Sequence, residues 1–153
     1  YPDHLYSLTI VNGNPGFDAM PAQEVRRFVT ERRSRTPESI RKLLGRNPRP
    51  GALEELVASI DMVRDGSYNK TLEASVAQDR DAPIEKITVP TRIIAGEEDT
   101  VYPAALAHAM ARRIQGSELV FMEGAGHLAN LEQPERFNQI LLEFLQRHNP
   151  DGE

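Results

Sequence analysis

The fold of this chain is decided by two stretches, TRIIAGEED (residues 91–99) and ELVFMEGAGH (residues 118–127). Each begins as a short run of β-branched and apolar residues, which predicts a strand, and each ends in a polar loop. A helical pattern follows the first loop from Pro103, and another follows the second loop from about Pro134. This β-α-β-α order predicts an α/β fold whose parallel strands are flanked by helices.

Two polar residues lie where the predicted strands end. Asp99 follows the first strand and His127 follows the second. Open parallel sheets place their chemistry at the carboxyl ends of their strands, so we expect these side chains to lie close together. A carboxylate that accepts a hydrogen bond from one imidazole nitrogen leaves the other nitrogen free to act as a general base. Taken singly, Asp99 would be interpreted as the cap of the helix near Pro103, and His127 as a loop histidine.

The residues around this pair resemble a known family. GEED (residues 96–99), followed by GAGHLANLEQPE (residues 124–135), closely resembles the C-terminal part of α/β-hydrolase family proteins. The resemblance implies that Asp99 is the acid and His127 the base of a Ser-His-Asp triad. The run after His127 is similar to enol-lactonase and small-ester hydrolase members. Val101 and Leu128, which follow the acid and the base, are expected to line the substrate pocket.

The nucleophile of that family does not lie in this sequence. Its G-x-S-x-G elbow is absent from the 153 residues. The resemblance therefore implies the C-terminal portion of a hydrolase of a small ester, lactone or C–C bond substrate, with the nucleophile outside this chain. Haloalkane and epoxide hydrolases of the same fold use an Asp nucleophile, so Ser, Asp and Cys all stay open.

The domain organisation follows from a change of pattern along the chain. A buried strand is predicted from Leu5 to Asn12, and residues 1–16 and 83–153 are assigned to the α/β-hydrolase core. Residues 17–82 have a helical and polar pattern, interrupted by turn signals such as Asp65-Gly66-Ser67. This family carries a helical lid at that place, so residues 17–82 are interpreted as the lid. Four of its apolar residues are predicted to form the lid core: Phe28, Leu43, Leu56 and Met62.

The amino-acid composition argues against several classes of partner and cofactor. The formal net charge of −5 and the lack of a basic cluster interleaved with aromatic residues argue against nucleic acid as a partner. The chain has no cysteine, and its four histidines lack ligand spacing, so neither a metal nor another cofactor is predicted. No apolar run is long enough to predict a membrane span. Cytoplasmic localisation is the default interpretation.

A second hypothesis comes from the first strand. If Leu5 to Val11 lacks its other neighbour, it forms an exposed apolar edge that favours pairing with another chain. The partner would be either an N-terminal hydrolase segment that carries G-x-S-x-G or a second copy of this chain. The alternative to a hydrolase is therefore a non-catalytic fragment or association module that pairs through this strand.

Overall fold

The computed structural model describes residues 4–14, 23, 30, 35–76 and 83–148. A 3₁₀ turn, Ile84–Lys86, leads into the second strand. The strands and helices, in chain order, are β1 (Leu8–Val11), α1 (Pro37–Arg41), α2 (Ala52–Asp61), α3 (Asp65–Val76), β2 (Thr91–Gly96), α4 (Ala104–Arg113), β3 (Glu118–Met122), α5 (Ala129–Glu132) and α6 (Pro134–Arg147).

The three strands form a parallel sheet in the order β1-β2-β3. In the register, Ile10 lies beside Ile93, and Ile94 lies beside Val120. All six residues of the central strand β2 are buried. This arrangement confirms the predicted α/β fold with parallel strands flanked by helices. Since all strands run the same way, their carboxyl ends meet at one rim of the sheet, where Asp99 and His127 follow β2 and β3.

Helices cover both faces of the sheet. Successive residues of a strand point to opposite faces, so β2 supplies one core with Ile93 and the other with Ile94. On the first face Met110 and Ile114, from α4 and its end, pack against Ile93. On the second face α6 packs through its apolar stripe, including Ile140. The central strand β2 therefore contributes to the cores on both faces of the sheet.

Arg92 joins the start of the sheet to the last helix. Its guanidinium lies 4.9 Å from the ring centroid of Phe144 and donates to the carbonyl of Ile140 and to the Glu118 carboxylate. Arg147 donates to the same carboxylate at 2.7 Å. Hydrogen bonds from Arg147 and Arg92 lower the pKa of Glu118 to about 2. This charged cluster therefore fixes α6 against β2 and β3 at the end of the sheet opposite Asp99.

The first strand differs from its prediction. It extends only from Leu8 to Val11, and its first three residues are half-buried while Val11 is 37% exposed. The expectation of a buried strand is wrong, because β1 is one of the two edge strands of the described sheet and pairs with β2 on one side only. Leu5 and Tyr6, which were predicted to belong to the strand, are exposed and precede it.

The helices between β1 and β2 follow the predicted pattern in part. Gly51 is the N-cap residue of α2, and Leu56 is buried in a cluster against which Leu43 packs. Met62 is 86% exposed, so its assignment to the lid core is wrong. It is the C-cap residue of α2, and it is not among the residues that pack in the cluster of Leu56. Phe28 lies outside the described residues.

The predicted break at Asp65-Gly66-Ser67 is also wrong. These residues form the first turn of α3, in which the amide of Tyr68 donates to the carbonyl of Arg64 at 2.9 Å. Small and acidic residues are tolerated in a first helical turn, where the amides have no partner within the helix. The interruption therefore lies at residues 62–64. Of the helices in the described parts of the chain, none combines the length and the hydropathy that a membrane span requires.

Candidate active site

The loops that follow β2 and β3 are hydrogen-bonded to each other. The amide of Glu97 donates to the carbonyl of Met122 at 3.0 Å, and the amide of Glu98 donates to the carbonyl of Ala125 at 2.8 Å. These backbone bonds join the two loops just beyond the last paired strand residues. The loop that carries Asp99 is therefore held against the turn that carries His127.

Asp99 uses its two carboxylate oxygens for different purposes. Oδ1 accepts from the backbone amides of Val101 at 2.7 Å and Tyr102 at 3.0 Å, which fixes the loop. Oδ2 accepts from Nδ2 of Asn12 at 2.8 Å and lies 2.9 Å from Nδ1 of His127. The cap of α4 is Pro103, so Asp99 is not the residue that caps this helix. Its second oxygen is directed at the imidazole.

Two opposing effects act on the ionisation of Asp99. Its side chain is fully buried, and burial by itself raises the pKa of a carboxyl group. The hydrogen bond and charge of His127, together with the bonds from Tyr102 and Asn12, act in the other direction. The balance lowers the pKa of Asp99 below its ordinary value. Asp99 is thus a carboxylate at neutral pH.

His127 is held on one side and open on the other. Nδ1 faces Asp99, while the side chain remains 23% exposed. The ring of Tyr102 meets the imidazole edge-on, with centroids 5.3 Å apart and planes at 80°. Within the described part of the chain, Nε2 has no hydrogen-bond partner. With Nδ1 donating to the carboxylate, Nε2 carries the lone pair that a general base needs.

Glycine makes the histidine turn possible. We use this name for residues 124–128. Gly124 has a φ of 70°, in the left-handed region that other residues avoid. A Cβ on Gly126 would collide with the backbone of Leu44 and Gly45, and would lie 2.8 Å from the carbonyl oxygen of Leu43. That carbonyl accepts a hydrogen bond of 2.8 Å from the amide of His127. The histidine turn is therefore in direct backbone contact with residues 43–45.

Two polar residues of the site were not predicted from the sequence. Asn12 is 6% exposed, and its Nδ2 donates to Asp99 and, at 3.0 Å, to the carbonyl of Gly126. Its φ of 43° is one that asparagine tolerates better than most residues, and its place directly after β1 was the available signal. Glu132 is 2% exposed and accepts from the amides of Gly45 and Gly126. It lies within the run that carries the family resemblance.

Val101 and Leu128 lie close to the pair, but with different surroundings. Val101 is 5% exposed, and its backbone amide donates one of the two hydrogen bonds that Oδ1 of Asp99 accepts. Leu128 is half-buried and packs against the cluster of α1 and α2 that contains Leu56. Their role as pocket residues stays a prediction.

An open cleft of about 900 Å³ lies beside the loop of Asp99. It is bounded on one side by residues 36–46 and on the other by Glu98 and Thr100. A hydrogen bond of 3.0 Å from Thr100 to the carbonyl of Lys42 and an ion pair of 2.6 Å between Arg46 and Glu98 join the two sides. Neither Asp99 nor His127 is among the residues that line the cleft.

No group of three or more His, Asp or Glu side chains suited to a metal ion occurs among the residues that the structure describes. Asp99 and His127 instead use their facing atoms for one another. Their arrangement is that of a base and the acid that orients it, on neighbouring strand ends.

Comparison with known proteins assigns the chain to a family. A profile of the alpha/beta hydrolase family matches residues 6–140. A 2-hydroxy-6-oxononadienedioate/2-hydroxy-6-oxononatrienedioate hydrolase of Klebsiella pneumoniae is 27% identical, over 96% of this chain and 56% of its own length. A pimeloyl-[acyl-carrier protein] methyl ester esterase of Neisseria meningitidis is 26% identical, over 95% of this chain and 53% of its own length.

The structural comparison agrees. A thermophilic esterase from Thermogutta terrifontis superimposes with a TM-score of 0.80 and 26% identity, over 97% of this chain and 59% of the esterase. The chain thus spans little more than half the length of the relatives it matches. The profile match extends from before β1 into α6 and includes both strand ends of the candidate site. The chain belongs to the alpha/beta hydrolase family.

Proposed function

We propose that this chain supplies the base and the acid of a hydrolase that acts on small esters or on C–C bond substrates. His127 is the general base and Asp99 is the acid that orients it. The observation that carries the proposal is the 2.9 Å contact between His127 Nδ1 and the fully buried carboxylate of Asp99. The names of the relatives support this range, since one is a hydrolase of 2-hydroxy-6-oxononadienedioate and another is a methyl ester esterase.

In the proposed reaction Nε2 of His127 takes up and releases the proton that is transferred, while Nδ1 keeps its own proton in the hydrogen bond to Asp99. A serine hydroxyl from a segment outside these 153 residues attacks the substrate carbonyl, and Nε2 of His127 takes the proton of that hydroxyl. The imidazolium that forms is stabilised by Asp99, and it then gives the proton to the leaving group. Water repeats the sequence on the acyl-enzyme, which releases the acid product and restores the serine. Asp99 remains ionised throughout, in agreement with its lowered pKa.

The helices between β1 and β2 have a place in this proposal. Residues 17–82 act as a lid, and its described part reaches the histidine turn through Leu43 and through the packing of Leu128. A lid at this position excludes water and shapes the pocket. Val101 and Leu128 contribute apolar surface to that pocket, next to the acid and the base.

The test is ester hydrolysis by the native protein with p-nitrophenyl acetate as substrate. His127→Ala is expected to abolish turnover above the uncatalysed rate, because the base is removed. The matched control is His108→Ala, since His108 is an exposed histidine of α4 that contacts Phe121 and lies outside the site. Equal turnover in His127→Ala and the unaltered protein would refute the assignment. Mass spectrometry of the same sample under denaturing conditions identifies the polypeptide that carries the G-x-S-x-G segment.

A second candidate function is supported by the position of β1. This strand ends the sheet, and no described strand lies on its outer side. Tyr6, at 70% exposed, and Val11 add apolar surface there. Such an edge can pair with a strand from an N-terminal hydrolase segment or from another copy of the chain. Val11→Lys is expected to weaken that association in analytical ultracentrifugation, whereas Met62→Lys, also at an exposed apolar position, should leave it unchanged.

A further inference from the structure

Glu132 has an unusual environment for a carboxylate. It lies at the end of α5, is 2% exposed, and accepts hydrogen bonds from backbone amides alone. Oε2 accepts from Gly45 at 2.6 Å, and Oε1 accepts from Gly126 at 2.8 Å. No lysine or arginine forms an ion pair with it among the residues that the structure describes. Both oxygens are thus committed to two backbone segments that are far apart in sequence.

The two amides that Glu132 binds belong to segments in close contact. Gly126 directly precedes His127, and Gly45 directly follows Leu44. A Cβ on either glycine would collide with the backbone of the other segment. Next to this contact, the amide of His127 donates to the carbonyl of Leu43. One side chain and one backbone bond therefore join residues 43–45 to the histidine turn.

We propose that Glu132 is the positioning residue of His127: by accepting from Gly45 and Gly126 together, its carboxylate makes residues 43–45 and the histidine turn a single unit. This inference rests on the proposed function, since it assigns Glu132 a role in placing the general base. Glu132 touches neither substrate nor reacting atoms. It acts through the backbone that fixes the imidazole 2.9 Å from Asp99.

The geometry explains why a carboxylate is needed here. Each of the two amides must find an acceptor, because a buried amide without a partner is costly. A glutamine at this position keeps one acceptor but directs its own N–H groups at the second amide. An aspartate keeps both acceptors but is one methylene shorter. Neither substitution can bind both segments as Glu132 does.

The first experiment is amide hydrogen exchange of the unaltered native protein, followed by NMR. If the unit exists, the amides of Gly45, Gly126 and His127 open together, with one opening free energy and one dependence on denaturant. Three independent opening reactions would overturn the proposal. This measurement needs neither a variant nor turnover of a substrate, so it remains decisive even if a substituted protein fails to fold.

The second experiment compares Glu132→Gln with Glu135→Gln. Glu135 is an exposed acid three residues further on, so its variant removes the same charge from the same neighbourhood. Glu132→Gln is expected to accelerate exchange at Gly45 and Gly126 by about tenfold or more, since it removes a buried hydrogen bond. It should also remove or broaden the low-field proton resonance of His127 Nδ1–H, which reports the bond to Asp99. Glu135→Gln should change neither signal.

The outcomes separate this inference from the proposed function. Unchanged exchange rates and an unchanged Nδ1–H resonance in Glu132→Gln would overturn the role of Glu132, whatever the protein hydrolyses. Faster exchange at Gly45 and Gly126, together with loss of the Nδ1–H resonance, supports that role even if no ester is turned over. In that case the proposed function alone fails. Where turnover is measurable, Glu132→Gln should lower kcat more than it changes KM, as expected for a misplaced base.

Discussion

The histidine turn and the first turn of α3 both contain glycine, but their structures differ. Gly124-Ala125-Gly126 and Asp65-Gly66-Ser67 are both short, glycine-containing signals that predict a break in regular structure. The first is a buried turn that contacts residues 43–45, Asn12 and Glu132. The second begins a helix in which no described side chain is buried. A glycine in the sequence therefore permits several backbone conformations, and the tertiary contacts determine whether a turn or a helix forms.

The largest expected effect is at the acid that the histidine turn faces. In the proposed hydrolase, Asp99→Asn should lower kcat by about 10³–10⁴-fold, because the imidazole loses its orienting acceptor and the stabilisation of its charged form. Steady-state kinetics with p-nitrophenyl acetate measures this loss. Asp61→Asn, an exposed acid at the end of α2, is the control. A loss of less than tenfold in Asp99→Asn would contradict the assigned role.

The next effect concerns the helical cluster that supports the histidine turn through Leu128. Leu56 is 8% exposed within this cluster, so Leu56→Ala should lower the free energy of unfolding by about 2–5 kcal/mol. Met62 is 86% exposed, and Met62→Ala should change that free energy by less than about 0.5 kcal/mol. Urea denaturation measures both. Equal losses in the two variants would mean that the cluster does not contribute to global stability.

The comparison between the two glycines can be tested directly. Gly126→Ala should destabilise the protein by about 1–3 kcal/mol, because the new Cβ collides with the backbone of residues 44–45. Gly66→Ala places its Cβ in open space within a helix, and should stabilise the protein by up to about 1 kcal/mol. Thermal and urea unfolding of the two variants gives the sign of each change. The same sign for both variants would mean that the two glycines do not differ in the way their surroundings indicate.

The smallest expected effect is at the opposite end of the sheet. The pKa of Glu118 is lowered from 4.5 to about 2, so the folded protein binds this proton less readily than the unfolded chain does. Its contribution is present above pH 4.5 and is lost as the pH falls toward 2. Because this side chain is partly exposed, we expect less than about 1 kcal/mol.

Glu118→Gln should remove that part of the pH dependence. The control is Glu123→Gln, an exposed acid just past the end of the same strand. Urea unfolding at several pH values between 2 and 5 compares the two variants with the unaltered protein. A Glu118→Gln protein whose stability falls with acid as steeply as that of the unaltered chain would contradict the assignment.

The sequence alone predicts those strands and helices whose signals lie within a few neighbouring residues. The parallel strands β2 and β3, the helices α4 and α6, and the proximity of Asp99 to His127 follow from hydrophobic patterning and from the family resemblance. Asn12 and Glu132 were missed because each makes a hydrogen bond to a residue that is distant in the sequence. Asn12 is 87 residues from Asp99, and Glu132 is likewise 87 residues from Gly45. No periodicity in the sequence encodes such pairs. Local patterns therefore assign Asn12 only to the end of a strand and Glu132 only to a helix.

The lengths of elements were less predictable than their types. The residues before Leu8 are apolar enough for a strand, but β1 ends the sheet and the chain pairs with β2 from Leu8 onward. Helix α3 begins at Asp65 although its first residues are common in turns. In both places the boundary depends on which neighbours are available, and this information is not contained in residue patterns.

The position of Arg92 has a practical consequence for protein engineering. Its contacts with Glu118, Ile140 and Phe144 lie at the start of the strands, while Asp99 and His127 follow the strand ends. Thermostability can thus be altered by substitutions around Arg92, and substrate range by substitutions near Asp99 and His127, in separate variant libraries. A truncation that removes α6 would, however, deprive the Arg92 guanidinium of its aromatic and carbonyl partners, Phe144 and Ile140. Fusion partners and purification tags should be attached beyond Arg147, so that this helix is kept whole.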